Sequence, residues 1–350
     1  PRYIEHDQRL THPLKRLADG SFEQATWEQA ITQIGSQLRT IVDQHGARSL
    51  GLVGIGGQGN HMDAGWATAF LRGMGSRRWF NAYAQEKTQH HLVDALMFDA
   101  APAAFFHADT AKTNFLLVMG TNPKVSHRGH RATETFKDLS KRADCRVVVV
   151  DPRITDTSKG ADQHVRVQPG TDVHLLTGIA ATIVQDELFD GDFLETRTQG
   201  YREVAQRMAG VSIDEMARRC GMESDALRQL ATDFAAAPSA SIFWDLGVEQ
   251  TPFSTTISYL IRLLHCMTGN AGRSGGSHFM EIFAPPTRSA ARHEEPERAI
   301  ASGIQAIRAL GQFGMFSPTL VPEETLIDHP DRIRALVVEG ANPMLSYSDT

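Results

Sequence analysis

Cysteine is scarce in this 350-residue chain: Cys145, Cys220 and Cys266 are its only three, and no two form a Cys-x-x-Cys pair. Such spacing excludes a zinc or iron–sulfur site within this segment and gives no disulfide framework. Cys145 opens an apolar run and Cys266 lies in an apolar helical pattern, so burial is the expected state. Basic residues are outnumbered, with 35 Lys and Arg against 41 Asp and Glu, a net charge of −6. A sequence-independent nucleic-acid binder needs a basic footprint, so nucleic acid is not an expected partner. No apolar run reaches the roughly 18–20 residues of a membrane span. What remains is ample: 41% of residues are hydrophobic, enough in a chain of this length for two ordinary domains without covalent staples.

The first readable element is a helix from about Trp27 to Gln44, in which Trp27, Ala30, Ile31, Ile34, Leu38, Ile41 and Val42 recur at helical spacing. Thr26 and Gln29 make a capping-box pattern at its start, and Gly46 is a natural stop. A short strand, Ser49 to Val53, leads into the glycine-rich turn Gly54–Gly59. Further apolar runs follow: Phe115–Met119, Arg146–Val150, Ser241–Trp244 and Ala335–Val338. They are nearly continuous rather than alternating, as strands buried on both faces are. Helical patterns lie between them, one holding Leu175, Leu176, Ile179, Ile183 and Val184. The expected fold class is therefore α/β, with doubly wound, mostly parallel sheets. Glu281–Glu324 reads as an excursion with one helix, around Ala299 to Leu310.

In such sheets ligands bind beyond the carboxyl ends of the strands. Two strands end alike there. Phe115–Met119 runs into Gly120-Thr121-Asn122-Pro123-Lys124-Val125-Ser126, and Ala335–Val338 runs through Glu339 into Gly340-Ala341-Asn342-Pro343-Met344-Leu345-Ser346. Gly permits close approach, Asn offers a donor and an acceptor, Pro fixes the turn, and Ser can bond a phosphate oxygen. One such turn is simply a good strand exit; two matched copies point to a two-part ligand held by related halves. Val150-Asp151-Pro152-Arg153 ends another strand with an acid placed for a ribose or guanine edge and an arginine suited to phosphate. Gln168-Pro169-Gly170-Thr171-Asp172 opens the Leu175 helix, where Thr171 or Asp172 would serve equally well as a cap. Gly54-Ile55-Gly56-Gly57-Gln58-Gly59 matches G-x-G-x-x-G, but the next strand candidate, Arg77–Phe80, ends in Asn81 and not in an acid. A pocket-lining loop is the better reading there than a nicotinamide site.

In their order, Trp27–Ala30, Val118–Pro123, Val150–Arg153, Gln168–Asp172, Leu264–Gly272 and Val338–Pro343 together resemble the molybdopterin oxidoreductases, the formate dehydrogenases, nitrate reductases, DMSO reductases and their relatives. The resemblance covers nearly the whole chain. It implies a catalytic-subunit fragment carrying bis-molybdopterin guanine dinucleotide with molybdenum or tungsten, acting in two-electron or oxygen-atom transfer. It implies one domain of 1–83 plus 277–350 interrupted by a Rossmann-like cofactor-binding domain of 84–276. Gly120, Thr121, Asn122, Pro123 and Ser126 would line one nucleotide, with Asp151, Pro152, Arg153, Gly170 and Asp172 near its guanosine end. Leu246 and Gln250 match positions near the pterin, and Gly340 and Asn342 belong to the other half. A [4Fe-4S] segment is expected before Pro1 and a cofactor-closing domain after Thr350. A small-molecule substrate and an electron-transfer subunit are the implied partners.

The family's metal-ligand segment aligns with Asn81–Val93 and puts Thr88 where Cys, selenocysteine or Ser supplies the ligand. A threonine alkoxide suits a hard, high-valent metal. The alternatives are a metal without a protein ligand, or a catalytic role for His90 or His91; ordinary polar residues at a helix start account for the pair equally well. The stretch after Gly276 lacks the Arg-Gly-Gln-Asn pattern of formate dehydrogenases, which argues against formate. His127 and His130 lie one helical turn apart without a third ligand. Two other functions remain open at this stage: a degenerate, non-catalytic relative acting as a structural subunit of an electron-transfer complex, and an NAD-dependent dehydrogenase resting on Gly54–Gly59 alone.

Overall fold

The computed structural model describes residues 5–54, 61–99, 105–127, 129, 131–280, 297–306 and 314–346. Contacts divide the chain into two compact units, Pro1–Gln85 with Ala291–Arg308 and Gln312–Thr350, and Glu86–Ala290 with Ala309–Gly311. Among the described residues the strands are β1 (Leu14–Arg16), β2 (Phe22–Gln24), β3 (Leu50–Gly54), β4 (Arg78–Phe80), β5 (Phe105–Ala108), β6 (Phe115–Met119), β7 (Arg146–Val150), β8 (Gln163–Val165), β9 (Ala240–Trp244), β10 (Ser277–Met280) and β11 (Ala335–Glu339).

The unit built mainly from Glu86–Ala290 centres on a parallel sheet of order β8-β7-β6-β9. Both of its faces are covered. Phe115, Leu117, Met119, Val148, Val150 and Ile242 point into one core with the helices Asp172–Gln185, Ser224–Ala236 and Ser254–Met267. The alternate residues Leu116, Val118, Val147 and Val149 pack on Phe136 and Leu139 of the helix Ala132–Leu139. This double coverage is why β6 and the Val147–Val150 stretch of β7 are apolar throughout. Leu175, Ile179 and Ile183 are completely buried, each stabilising the layer by roughly 1.5–3 kcal/mol. The strand order reverses between β6 and its neighbours β7 and β9, the place where doubly wound sheets open a ligand crevice. An antiparallel pair, β5 with β10, belongs to the same unit.

The other unit holds the parallel sheet β11-β3-β4 and the hairpin β1-β2. Its core gathers Val53, Phe80, Phe316, Leu320 and Ile333. The helix Trp27–His45 begins as its sequence demands: Gln29 N–H donates to Thr26 Oγ1 at 3.1 Å, and Thr26 N–H to Gln29 Oε1 at 2.9 Å. On β4, Arg78 is fully buried against the equally buried Glu324, and donates to the carbonyl oxygens of Arg48 and Asp331. Burial, with the nearby charge of Arg48, pulls its guanidinium down to about 10.

Two local expectations need correction. The segment expected as a helix around Ala299–Leu310 is, as far as it is described, a turn: Ala299 N–H bonds Ile304 O, Gly303 N–H bonds Ala299 O, and Arg298 bridges to Gln305. Gly303 takes φ +68, closing the chain back on itself where a helix would have continued; residues 307–310 lie outside the described residues. Thr171 stands at the N-cap position of the helix Asp172–Gln185, yet its hydroxyl donates backwards to Gln168 O at 2.6 Å and makes no cap bond.

Candidate functional site

At the carboxyl end of β6 the chain turns through Gly120, at φ +59, into the short helix Pro123–Ser126. Asn122 O accepts from Val125 N and Ser126 N, both at 2.9 Å, while its Oδ1 accepts from Thr157 N and Thr157 Oγ1 at 3.1 and 2.5 Å. Asn122 thereby ties the β6 exit to the loop after β7. Gly120 answers a neighbour: Gly247 N donates to its carbonyl at 2.8 Å, and a Cβ on Gly120 would collide with the backbone of Gly247 and Val248. Between these fixed points the Thr121 hydroxyl is buried and has no hydrogen-bond partner among the described residues. Ser126 is exposed.

The next two strand ends join the same edge. Asp151 Oδ1 accepts from Arg153 N at 2.9 Å, which shapes the Asp151-Pro152-Arg153 turn and leaves the Arg153 side chain exposed. After β8, Gly170 turns at φ +78 and delivers Asp172 to the first turn of its helix. Asp172 is buried, and its carboxyl is held above the usual carboxylate range by desolvation, with the charge of Asp151 adding to the effect. β9 ends in the short helix Leu246–Glu249, capped by Asp245 and Gln250, where Leu246 and Gln250 are exposed and Val248 and Glu249 are buried. The sheet thus brings the anticipated residues of β6, β7, β8 and β9 to one edge.

Thr88 is half-buried and begins the helix Thr88–Phe98; its hydroxyl donates to Gln89 Oε1 at 3.2 Å. Around that helix start lies a buried charged network. Lys87 donates to Asp245 Oδ1 at 2.9 Å and pairs with Glu249 Oε2. His90 Nε2 is 2.9 Å from Glu249 Oε1 and 3.1 Å from Trp244 Nε1, while its Nδ1 meets Ser258 Oγ at 2.6 Å and Arg262 at 3.2 Å. Arg262 makes a two-pronged pair with Asp94, at 2.7 and 2.9 Å, and lies 4.7 Å over the Trp244 ring. Lys87, His90, Asp94, Glu249 and Arg262 are each less than 9% exposed. Burial pushes Asp94 up, with Arg262 opposing, and pulls His91 down to about 3. The network closes around a cavity of about 20 Å³, room for about one water.

Lys87, Asp245, Glu249 and Arg262 are absent from the sequence-based set. The available signal was charge inside apolar patterns, above all Arg262 within Leu260–Leu264. The turn of the other unit repeats the first one locally: Gly340 has φ +57, and Asn342 O accepts from Leu345 N and Ser346 N at 3.0 and 2.9 Å. Asn342 itself is exposed. Gly54 has a packing role, since its carbonyl takes Trp79 Nε1 and Asn81 Nδ2, and a Cβ there would strike Glu339 O of β11; residues 55–60 lie outside the described residues, as does His130. No group of His, Cys, Asp and Glu able to hold a metal ion occurs among the described residues, nor does any helix long and apolar enough to cross a membrane.

Residues 9–349 match the family model described as molybdopterin oxidoreductase. Acetylene hydratase of Syntrophotalea acetylenica is 26% identical over 98% of this chain and 50% of its own length. The assimilatory nitrate reductase of Haloferax mediterranei is 30% identical over 76% of this chain and 36% of its own. Formate dehydrogenase H of Escherichia coli is 26% identical over 77% and 38%, respectively. The solved structure of acetylene hydratase from Pelobacter acetylenicus superposes with a TM-score of 0.67 at 26% identity, covering 78% of this chain and 37% of that one. The chain spans half or less of the length of these relatives.

Proposed function

The chain belongs to the molybdopterin oxidoreductase family, and from that premise we propose that it forms the cofactor-holding part of a catalytic subunit carrying bis-molybdopterin guanine dinucleotide with molybdenum or tungsten. The observation that carries the reading is the edge shared by β6, β7, β8 and β9, with an unpartnered buried hydroxyl on Thr121 and a buried carboxyl on Asp172. A buried polar group without a partner costs stability unless a ligand completes it. A nucleotide supplies what the Thr121 hydroxyl lacks, an acceptor oxygen, and offers ring N–H donors that suit the buried Asp172 carboxylate.

In this reading Gly120, Thr121, Asn122, Pro123 and Ser126 receive the phosphate end of one dinucleotide, and Asp151, Arg153, Gly170 and Asp172 its guanosine. Leu246 and Gln250, exposed on the β9 exit, face the pterin. Gly340 and Asn342 serve the second dinucleotide from a turn of the same local form. Thr88 offers the metal-facing hydroxyl, on a helix start held by Lys87 and His90. When bound, the metallopterin supplies the two-electron or oxygen-atom transfer chemistry, while the protein supplies binding and electrostatics. A [4Fe-4S] cluster and an electron-transfer subunit would complete the path for electrons. The relatives' names range over a nitrate reductase, a formate dehydrogenase and a hydratase, so family membership leaves the small-molecule substrate open.

The test is metal and pterin analysis of the full-length protein from a host that makes the cofactor. Molybdenum or tungsten near one per chain, with two guanine dinucleotides, is the expected result. Folded protein pure of both would overturn the reading in favour of a non-catalytic relative.

A further inference from the structure

The segment Asp245–Gln250 touches both halves of the candidate site. On one side Gly247 is seated on Gly120, backbone against backbone, with a 2.8 Å hydrogen bond and no space for a Cβ on either residue. On the other side Glu249 pairs through Oε2 with Lys87, and its Oε1 lies 2.9 Å from His90 Nε2; these two residues flank Thr88 and Gln89. Val248 between them is fully buried and leaves the segment no slack. The start of the helix Thr88–Phe98 needs such a hold, because Lys87 at its N-cap makes no side-chain cap bond. Gln89 Nε2 instead reaches Glu86 O at 2.7 Å and Glu249 O at 3.4 Å.

We propose that Glu249 is a positioning residue: by pairing with Lys87 and abutting His90 it fixes the first turn of the helix Thr88–Phe98 relative to the Gly120 turn, and so sets where Thr88 stands toward the cofactor. The second half of this inference rests on the proposed function; the lock itself does not. Burying a carboxylate, an ammonium and an imidazole together is a poor way to gain stability, since apolar residues of the same volume serve as well. It is a good way to hold a functional turn within a few tenths of an ångström, because each partner loses heavily if the other moves. His90 is held in turn from behind by Ser258 and by Arg262, itself anchored on Asp94.

The experiment compares full-length wild type with Glu249→Gln, reading metal and pterin content, amide exchange over residues 88–92, and the Mo(V) or W(V) electron paramagnetic resonance g values. Gln keeps the volume and removes the charge that Lys87 pairs with. The expected result is wild-type metal content, amide exchange at least tenfold faster at 88–92 with the sheet unaffected, and shifted or split g values. Unchanged exchange in a folded Glu249→Gln protein would overturn the lock. Faster exchange with unchanged g values would overturn the positioning role, because a merely structural contact leaves the metal's surroundings alone. Should Glu249→Gln not fold, Ser258→Ala removes one hydroxyl from His90 and carries the same expectations in weaker form. A wild type devoid of metal and pterin would refute the proposed function, while the exchange comparison would still decide the lock.

Discussion

Arg262 and Asp94 are 1% and 3% exposed in their side chains and bind through two short contacts. Neither charge has water to fall back on, so removing one strands the other. Arg262→Leu is expected to lower stability by about 3–5 kcal/mol, read as a shift in the urea midpoint. The double variant Arg262→Leu with Asp94→Leu should recover much of that loss, since no lone charge remains. Asp172 makes a different, pH-dependent prediction. Its folded-state carboxyl is raised by burial, so the native chain binds its proton more tightly than the unfolded chain does. Stability without cofactor therefore falls as pH rises from the ordinary carboxylate value through the raised one. Asp172→Asn should be level with wild type in acid and more stable above that window, in urea titrations of cofactor-free protein. A difference that does not change with pH would refute this account. Both residues also show what was legible. Asp172 stands in a motif that reads along the chain, whereas Lys87 and Glu249 gain their meaning from a partner 162 positions away, a distance no local pattern spans.

Among the elements, one tight constraint is the contact of two strand exits, Gly120 after β6 and Gly247 after β9. A Cβ on Gly247 would lie 2.5 Å from both Gly120 Cα and Gly120 O. Backbone cannot rotate aside as a side chain can, so Gly247→Ala should cost about 1–3 kcal/mol and loosen the edge where the dinucleotide is proposed to bind. The check is a lower denaturation midpoint together with reduced guanine nucleotide in the purified full-length protein; an intact midpoint would mean that the exits part easily. The buried parallel strands and the Trp27 helix were legible because their signals are local: continuous apolar runs, and a Thr26–Gln29 box that closes on itself. β5, β10 and β8 were not, since strands of three or four residues take their register from distant partners, as Phe106 does from Phe279. The turn at Ala299–Gln305 looks helical in sequence because its alanines favour helix, until Gly303 and the bridge from Arg298 to Gln305 override them. Glycine had a similar ambiguity: Gly120 and Gly54 were noticed as ligand-facing residues, and both prove to be required by packing as well.

At the scale of the molecule, the described residues form separate cores, one around Val53, Phe80 and Phe316, the others on the two faces of the β8-β7-β6-β9 sheet. Each unit has its own parallel sheet and its own buried ion pair, Arg78 with Glu324 in one and Arg262 with Asp94 in the other. Cooperativity follows shared buried surface, so units with separate cores tend to unfold as separate transitions. Calorimetry of the 350-residue chain is expected to resolve two. The ion pairs then become labels for assigning them. Arg78→Leu leaves Glu324 buried without its partner and should lower the transition of the unit containing β3, β4 and β11. Arg262→Leu should lower that of the unit containing β6 to β9. Each substitution should leave the other transition within about 2 °C, less than the roughly 2–4 °C that 1 kcal/mol moves a domain of 150–250 residues. A single transition that both substitutions shift equally would show that the two cores are energetically one, and that the division seen in the contacts does not extend to stability.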